Sequence, residues 1–187
     1  ESLAGYGVQI TLHFNKSEDE VKKLKTKMEN IGCEVFLIKA DLSKTAQTKK
    51  IIPFAFKEMK GLDCLINNAS IFEKDDLSNF NEKSFNNHID VNLKAPAILT
   101  QDFKKYLKSK KGSIINIIDQ RIFKLTPYFF SYTLSKAGLQ TLTKTSAMSL
   151  APNIRVNGIA PGPTIKNKRQ SKNHFKKQWK SLILENK

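Results

Sequence analysis

The amino-acid sequence predicts a single α/β domain built around an open, doubly wound parallel sheet. Short apolar runs alternate with longer segments of helical periodicity, which is the pattern of βαβ units. The short runs are rich in β-branched residues and lack polar alternation, as expected for strands covered on both faces. No repeat, linker or low-complexity block interrupts the 187 residues, a length that one core can fill.

Five strands and four helices follow from these segments. The predicted strands are 8–13, 35–40, 64–67, 113–118 and 154–159, and the predicted helices are 18–29, 45–60, 85–110 and 132–150. Gly32 caps the first helix, and Gly61 and Gly112 mark returns to strand, since glycine accepts positive φ. Ligands of such sheets bind beyond the carboxyl ends of the strands. We therefore expect the site in the loops after His13, Ala40, Asn67, Ile118 and Ile159.

The charge of the chain is strongly basic, with 32 Lys and Arg against 17 Asp and Glu, a net charge of +15. Most basic residues are lysines on predicted helix faces, which is typical of solvated surface, so no nucleic-acid partner is expected. The longest apolar runs fall far short of the roughly 20 residues that cross a bilayer, so a soluble protein without a membrane partner is expected. Cys33 and Cys64 lie far apart without metal-ligand spacing, which favours a reducing cytoplasm, no metal site and no disulfide.

A phenol and an ammonium lie four residues apart in Tyr132-Thr-Leu-Ser-Lys136. This spacing puts both side chains on one face of a helix, within reach of a shared ligand. An ammonium beside a phenol favours the phenolate, so the pKa of Tyr132 is expected to fall and the phenol to exchange protons nearer neutral pH. Taken alone, the pair is a weak signal in a lysine-rich chain.

Other polar groups stand at the expected strand ends. The segment NNAS at 67–70 follows the third strand, where small and amide side chains let a ligand approach closely. The turn APGPT at 160–164 follows the last strand and can present backbone amides to a cofactor. Asn92 is an amide in an apolar helical stretch, for which a structural role is the default.

In this order and spacing, these motifs resemble the short-chain dehydrogenase/reductase family over roughly residues 1 to 170. The resemblance implies a Rossmann-type sheet with a nicotinamide dinucleotide across the strand ends. It implies that Tyr132 is the proton donor, that Lys136 binds the nicotinamide ribose and lowers the pKa of Tyr132, and that Asn92 holds a relay water. It further implies a tetramer built from helices 85–110 and 132–150. The residues implied to line the cofactor are Asn68, Ala69, Pro161, Gly162 and Thr164.

Two features depart from the family pattern. The glycine-rich turn TGxxxGxG is absent, so we expect the chain to be one reductase domain, 1–187, truncated at both ends, without the first and last strands. The second departure is Asp119, thirteen residues before Tyr132, where most of the family has Ser. That replacement resembles the pteridine and dihydromonapterin reductases. In that group, Phe72 matches an aromatic that stacks on the pterin, and Ser70 matches a residue that contacts substrate and cofactor.

The segment after the first predicted strand bears on the choice of cofactor. His13, Asn15, Lys16 and Ser17 match the segment that receives the 2′-phosphate of NADPH in the pteridine reductases. Chemistry alone supports this prediction, because a cation with hydroxyl and amide donors, and no carboxylate, suits a phosphate dianion. Asp41 and Leu42, after the next strand, are expected to flank the adenine.

The favoured function is an NADPH-dependent reductase of a pterin-like ring. The predicted catalytic residues are Asp119, Tyr132, Lys136 and Asn92, and those predicted to contact the substrate are Ser70, Phe72, Asp119 and Tyr132. One alternative is a reductase of a simple carbonyl, such as a 3-ketoacyl thioester or a sugar, with Asp119 a tolerated variant of Ser. Another is a non-catalytic dinucleotide- or nucleic-acid-binding module. Two structural alternatives also remain open: Phe72 is an ordinary packing residue, or Asp119 is a capping or turn residue.

Overall fold

The computed structural model describes residues 2–162 and three isolated positions, Ser171, Asn173 and Lys176. Its regular elements alternate as the sequence predicts. They are β1 (Gln9–Phe14), α1 (Glu18–Glu29), β2 (Glu34–Lys39), α2 (Thr45–Thr48), α3 (Ile51–Met59), β3 (Cys64–Asn67), α4 (Glu82–Ile89), α5 (Ala95–Leu107), β4 (Gly112–Ile117), α6 (Phe130–Leu150) and β5 (Ile154–Ile159). Short 3₁₀ turns lie at Ala4–Tyr6 and Gln120–Ile122, and a π-helical turn at Asp90–Lys94 joins α4 to α5. Among the described residues, no helix has the length and apolar character needed to span a bilayer.

All the strand pairs are parallel, which confirms the predicted α/β fold. β1 pairs with β2, and β4 lies between β3 and β5. Within the described part of the chain, β1 and β3 share no ladder. The Thr11 Oγ1 atom on β1 and the Asn67 Oδ1 atom on β3 are buried without a described hydrogen-bond partner. The sheet is therefore discontinuous between β1 and β3.

Three of the four predicted helices differ from those observed, and the last, 132–150, differs only in that it begins at Phe130. The predicted helix 45–60 is two helices, α2 and α3, with a break at Lys49 and Lys50. Pro53 explains the break, because its ring lacks an N–H and would clash with the carbonyl of Lys49 in a continuous helix. The predicted helix 85–110 begins earlier, at Glu82, since the Asn81 side chain accepts the Ser84 N–H at 2.9 Å and caps α4.

The main core packs β3, β4 and β5 against α3 and α5, with Phe103, Ile114 and Ile154 fully buried. Gly112 begins β4 where the strand meets α5, and a Cβ there would lie 2.3 Å from Leu107 Cδ2. Its φ is not positive, so Gly112 is needed for close packing and not for the turn conformation that we expected. Gly32, by contrast, has φ +85°, as expected after a helix.

A buried chain of polar side chains fixes α6 to the ends of two strands. Asn67 Nδ2 donates to Asn116 Oδ1 at 2.8 Å, and Asn116 Nδ2 donates to Thr143 Oγ1 at 2.9 Å. Thr143 Oγ1 in turn donates to the Leu139 carbonyl at 2.7 Å. These bonds join β3 and β4 to α6. The first Asn of NNAS is therefore structural, and α6 is held against the carboxyl edge of the sheet.

Candidate active site

Tyr132 lies in the first turn of α6, and Asp119 follows β4. The Tyr132 hydroxyl donates to Asp119 Oδ2 at 2.7 Å. The other carboxylate oxygen, Oδ1, accepts the Arg121 backbone N–H at 2.8 Å and so caps the 3₁₀ turn at Gln120–Ile122. Asp119 is thus a capping residue and, at the same time, the hydrogen-bond partner of the phenol.

The pKa of Tyr132 is raised above its usual value, first by burial and then by the hydrogen bond and negative charge of Asp119. This direction is opposite to the one expected from Lys136. The Lys136 Nζ atom lies 5.7 Å from the Tyr132 ring centroid and donates instead to the Ile117 carbonyl at 2.7 Å. Tyr132 therefore keeps its proton at neutral pH and can act as a donor.

Lys136 is 2% exposed. Burial lowers the pKa of its ammonium to about 8, because a charged group loses solvation, and the negative charge of Asp119 opposes this shift. Its protonation state therefore changes close to neutral pH.

Asn92 is buried in the π-helical turn, a feature that often occurs at functional sites. Its Nδ2 donates to the Ile71 carbonyl and to Ser135 Oγ, each at 3.0 Å. Its Oδ1 accepts the Ile71 N–H at 2.9 Å and the Ser70 hydroxyl at 3.1 Å. Both amide donors and both lone pairs are thus used by protein groups. The side chain fastens the loop after β3 to α6, and the relay water that the resemblance implies at Asn92 stays a prediction.

Phe72 lies beside the phenol of Tyr132. Its ring meets Tyr132 at 4.7 Å in a T-shaped contact and stacks on Phe129 at 4.3 Å with an interplanar angle of 1°. The Arg121 guanidinium is 4.5 Å from the Phe129 centroid and 5.6 Å from that of Phe72, which puts it at the side of the stack. Phe72 is therefore at the site, but Phe129 occupies a position where a flat ligand would stack.

Phe129 has a strained backbone, with φ 61° and ψ 43° immediately before α6. A bulky side chain in the left-handed region costs about 1–3 kcal/mol and persists only where neighbouring contacts enforce it. Its N–H donates to the Asp75 carbonyl at 2.7 Å, and its ring is stacked on Phe72. These two contacts hold the residue in place.

The predicted phosphate-binding residues Asn15, Lys16 and Ser17 are exposed in the turn between β1 and α1. Ser17 is the N-cap residue of α1, yet its side chain makes no capping hydrogen bond. Glu18 is next along the chain and forms ion pairs with lysines. His13 Nε2 lies 2.8 Å from the Ala40 carbonyl, so this side chain links the ends of β1 and β2.

Asp41 and Leu42, expected near an adenine, differ in their surroundings. Asp41 Oδ1 accepts the Ser43 hydroxyl and N–H, and these hydrogen bonds lower the pKa of the carboxyl, with smaller contributions from Lys44 and Lys16. Leu42 is buried in the main core, so its side chain is unavailable to a ligand.

The remaining predicted cofactor residues lie at the ends of β3 and β5. Asn68, Ala69 and Ser70 are exposed directly after β3. Pro161 accepts the Gln120 N–H at 3.4 Å through its carbonyl, which brings the segment with Gly162 beside the 3₁₀ turn after β4. Thr164 lies outside the described residues.

Five residues near the site were not singled out from the sequence: Asp75, His88, Phe129, Ser131 and Ser135. Ser131 and Ser135 flank Tyr132 along one helix, a spacing visible in the sequence. Asp75 and His88 belong to no motif, and only the tertiary structure reveals their contacts.

Comparison with known proteins agrees with this geometry. The family model described as short chain dehydrogenase matches residues 1–177. The chain is 31% identical over 162 residues to the 3-oxoacyl-[acyl-carrier-protein] reductase FabG of Staphylococcus epidermidis, covering 86% of this chain and 66% of that protein. It is 27% identical over 165 residues to galactitol 2-dehydrogenase of Agrobacterium fabrum, covering 87% and 63%. The chain thus spans about two thirds of the length of these curated relatives.

Two solved structures are more similar. The FolM alternative dihydrofolate reductase 1 from Brucella suis, in complex with NADP, has a TM-score of 0.92 and 39% identity, covering 98% of this chain and 74% of that chain. The corresponding protein from Brucella canis, also complexed with NADP, has a TM-score of 0.89 and 38% identity, covering 98% and 73%.

Proposed function

The chain belongs to the short-chain dehydrogenase family, and on this basis we propose that it is an NADPH-dependent reductase of a pterin-like ring. The hydrogen bond from Tyr132 to Asp119 is the observation that carries the proposal. The two Brucella proteins that the chain resembles are alternative dihydrofolate reductases in complex with NADP, which supports both the substrate class and the cofactor.

The carboxylate of Asp119 favours a ring C=N over a ketone. Reduction of a ketone develops negative charge on oxygen, and an ionised carboxylate next to that oxygen opposes the reaction. Reduction of a C=N bond develops charge on nitrogen, where protonation removes it. Tyr132 keeps its proton at neutral pH and shares it with the Asp119 carboxylate, and this pair is the proposed source of the proton for the ring nitrogen.

The exposed residues fit a nicotinamide dinucleotide phosphate. Lys16, Asn15 and Ser17 offer a cation and uncommitted donors for a 2′-phosphate, and the neighbouring Glu18 is paired with lysines. Asn68 and Ala69 leave open space after β3, while Lys136 provides an ammonium next to Tyr132. When bound, NADPH supplies the hydride. The protein binds and orients the cofactor and the substrate, and it holds the proton at the Tyr132 hydroxyl.

A second candidate is the reduction of a simple carbonyl. The 31% identity to a 3-oxoacyl-[acyl-carrier-protein] reductase favours it, whereas Asp119 argues against it. A non-catalytic binding module is less consistent with the intact bond between Tyr132 and Asp119 and with the buried Lys136.

We also propose a cytoplasmic homo-tetramer. Leu134 and Met148 are exposed apolar side chains on α6, one of the two helices expected to form the interface. Light scattering of the purified protein tests this proposal, and a monomer would contradict it.

The substrate class is tested by following NADPH oxidation spectrophotometrically with four substrates: dihydrobiopterin, dihydromonapterin, dihydrofolate and an acetoacetyl thioester. We expect turnover of at least one dihydropterin or dihydrofolate at a kcat/KM well above that of the thioester. Preferential turnover of the thioester would establish the carbonyl reductase instead. No turnover of any compound, with normal NADPH binding, would support the binding module.

A further inference from the structure

The loop after β3, residues 70–76, carries Ser70 and Phe72 and is called here the substrate loop. Other elements fasten it at three points. The Asn92 side chain forms hydrogen bonds with both the N–H and the carbonyl of Ile71. The fully buried His88 accepts the Glu73 N–H at Nε2 over 3.3 Å, while its Nδ1 lies 2.8 Å from the Ser84 carbonyl. The third point is Asp75, which contacts α6.

Asp75 is 6% exposed and bonds the start of α6 with both its side chain and its backbone. Both carboxylate oxygens lie 3.2 Å from the Ser131 backbone nitrogen, and Oδ2 also accepts the Ser131 hydroxyl. The Asp75 carbonyl accepts the Phe129 N–H at 2.7 Å. A single residue of the substrate loop therefore holds the backbone at the N-cap residue Phe129 and at Ser131, in the first turn of α6.

These bonds replace a local helix cap. The residue before α6 is Phe129, whose side chain cannot cap and whose backbone is left-handed. The first N–H groups of a helix lack intrahelical partners, and a carboxylate there satisfies them and matches the helix dipole. Asp75 supplies this carboxylate from 56 positions away. The next residue after Ser131 is Tyr132, so the same bonds fix the helical turn that presents the phenol.

We propose that Asp75 is a positioning residue that locks the substrate loop and the first turn of α6 into one unit, and so sets Phe72 against Tyr132. Asp75 contacts neither the phenol nor Asp119; it acts through Ser131 and Phe129. Loss of the bonds from Asp75 to Phe129 and Ser131 lets the Phe72 ring and the Tyr132 phenol move independently. The inference rests on the proposed function for its substrate, but not for its structural readout.

The test compares Asp75→Ala, Asp75→Asn and Ser131→Ala with Asp76→Ala as a matched control. Asp76 is the next residue, and its exposed carboxylate bonds only within its own turn, to Ser78 and Asn79. Activity is expressed per NADPH-binding site, from a fluorescence titration, so that a smaller folded fraction does not imitate a catalytic defect. Hydrogen exchange of residues 70–76 and 129–133 is measured without substrate.

We expect Asp75→Ala to lower kcat about 10²-fold, the scale of a small misplacement of reacting groups, with an unchanged Kd for NADPH. Asp75→Asn keeps one acceptor oxygen and should recover part of the loss, and Ser131→Ala should show a smaller loss. Exchange should accelerate in both segments together. Asp76→Ala should match the wild type.

Wild-type kcat per site in Asp75→Ala, an equal loss in Asp76→Ala, or faster exchange in one segment alone would overturn the proposal. Should Asp75→Ala not fold, Asp75→Asn and Ser131→Ala decide the question by the same criteria. Failure of the wild type to reduce any dihydropterin overturns the proposed function instead, and the exchange experiment still tests the lock.

Discussion

The hydroxyl of Tyr132, in the first turn of α6, donates to Oδ2 of Asp119, just after β4, over 2.7 Å. The acceptor is the same carboxylate that caps the 3₁₀ turn after β4. The bond holds the phenolic hydrogen on the carboxylate, and together with burial it raises the pKa of Tyr132. A site with this pair keeps the phenol protonated at neutral pH and is poorly suited to stabilising an oxyanion.

Removal of the Asp119 carboxylate should separate pterin reduction from ketone reduction. We expect Asp119→Ala to lower kcat for a dihydropterin by about 10²-fold, in the range of lost acid–base assistance, with NADPH binding unchanged. Asp119→Ser should not restore pterin turnover, but should introduce weak reduction of an acetoacetyl thioester, since a hydroxyl can donate to a developing oxyanion. Steady-state kinetics with both substrates measure this. A fully active Asp119→Ala protein would contradict the pterin assignment and leave the family assignment intact.

Lys136 should impose an alkaline limit on activity. Burial lowers the pKa of its ammonium to about 8, so the charge is present below this pH and is lost as the pH rises through it. We expect kcat/KM, which reports ionisations of the free protein, to fall over the same range. An arginine stays charged well above this pH range. The pH–activity profile of Lys136→Arg, normalised to its own maximum, should therefore lack the alkaline decrease. An unchanged alkaline decrease in Lys136→Arg would assign the titration to another group.

The same shift predicts a pH dependence of stability. An unfolded Lys136 binds its proton up to its ordinary pKa of 10.5, whereas the folded residue releases it near 8. Between these values the unfolded state binds more protons, so this residue raises the free energy of unfolding as the pH rises. Denaturant titrations of the wild type and Lys136→Met across this window should diverge, with the positive slope present only in the wild type.

Phe72 and Phe129 should respond to substitution in opposite directions. Phe72→Ala removes a stacking surface worth about 0.5–1.5 kcal/mol, so dihydropterin should bind several-fold to about tenfold more weakly. Phe129→Gly removes the ring that covers Phe72 and accepts a φ of 61° without strain, so binding should tighten. Calorimetry with the NADPH-saturated protein measures both. Normal binding by Phe72→Ala would make Phe72 a packing residue, and weaker binding by Phe129→Gly would make the Phe129 ring part of the substrate wall.

Lys16 should distinguish the two nicotinamide cofactors. Lys16→Ala is expected to raise the KM for NADPH and leave that for NADH nearly unchanged, because only NADPH carries the 2′-phosphate. Lys23→Ala is the control, since it removes an exposed cation from the nearby helix α1 and leaves the ion pairs of Glu18 in place. Kinetics with each cofactor decide between the outcomes. An equal change for both cofactors in Lys16→Ala would remove the basis for the NADPH assignment.

The sequence by itself determined the elements and their order. The bounds of α1, β3 and β5 agree with those predicted, because periodicity and capping signals act within a few residues. The fold class followed from the alternation of strands and helices. The spacing of Tyr132 and Lys136 predicted that both side chains lie on one face of a helix. Asp119 was identified by the resemblance to the reductase family, because a strand-end position carries no signal of its own.

The tertiary structure alone decided what those residues do to one another. The pKa of Tyr132 rises instead of falling because burial and the contact with Asp119 act on it, while Lys136 is bonded to a backbone carbonyl. Asn92 is occupied by four protein groups, a fact that depends on the path of the loop after β3. Asp75 meets Ser131 across 56 residues. Hydrogen bonds and desolvation act over a few ångströms in space, whereas the patterns in a sequence report neighbours along the chain.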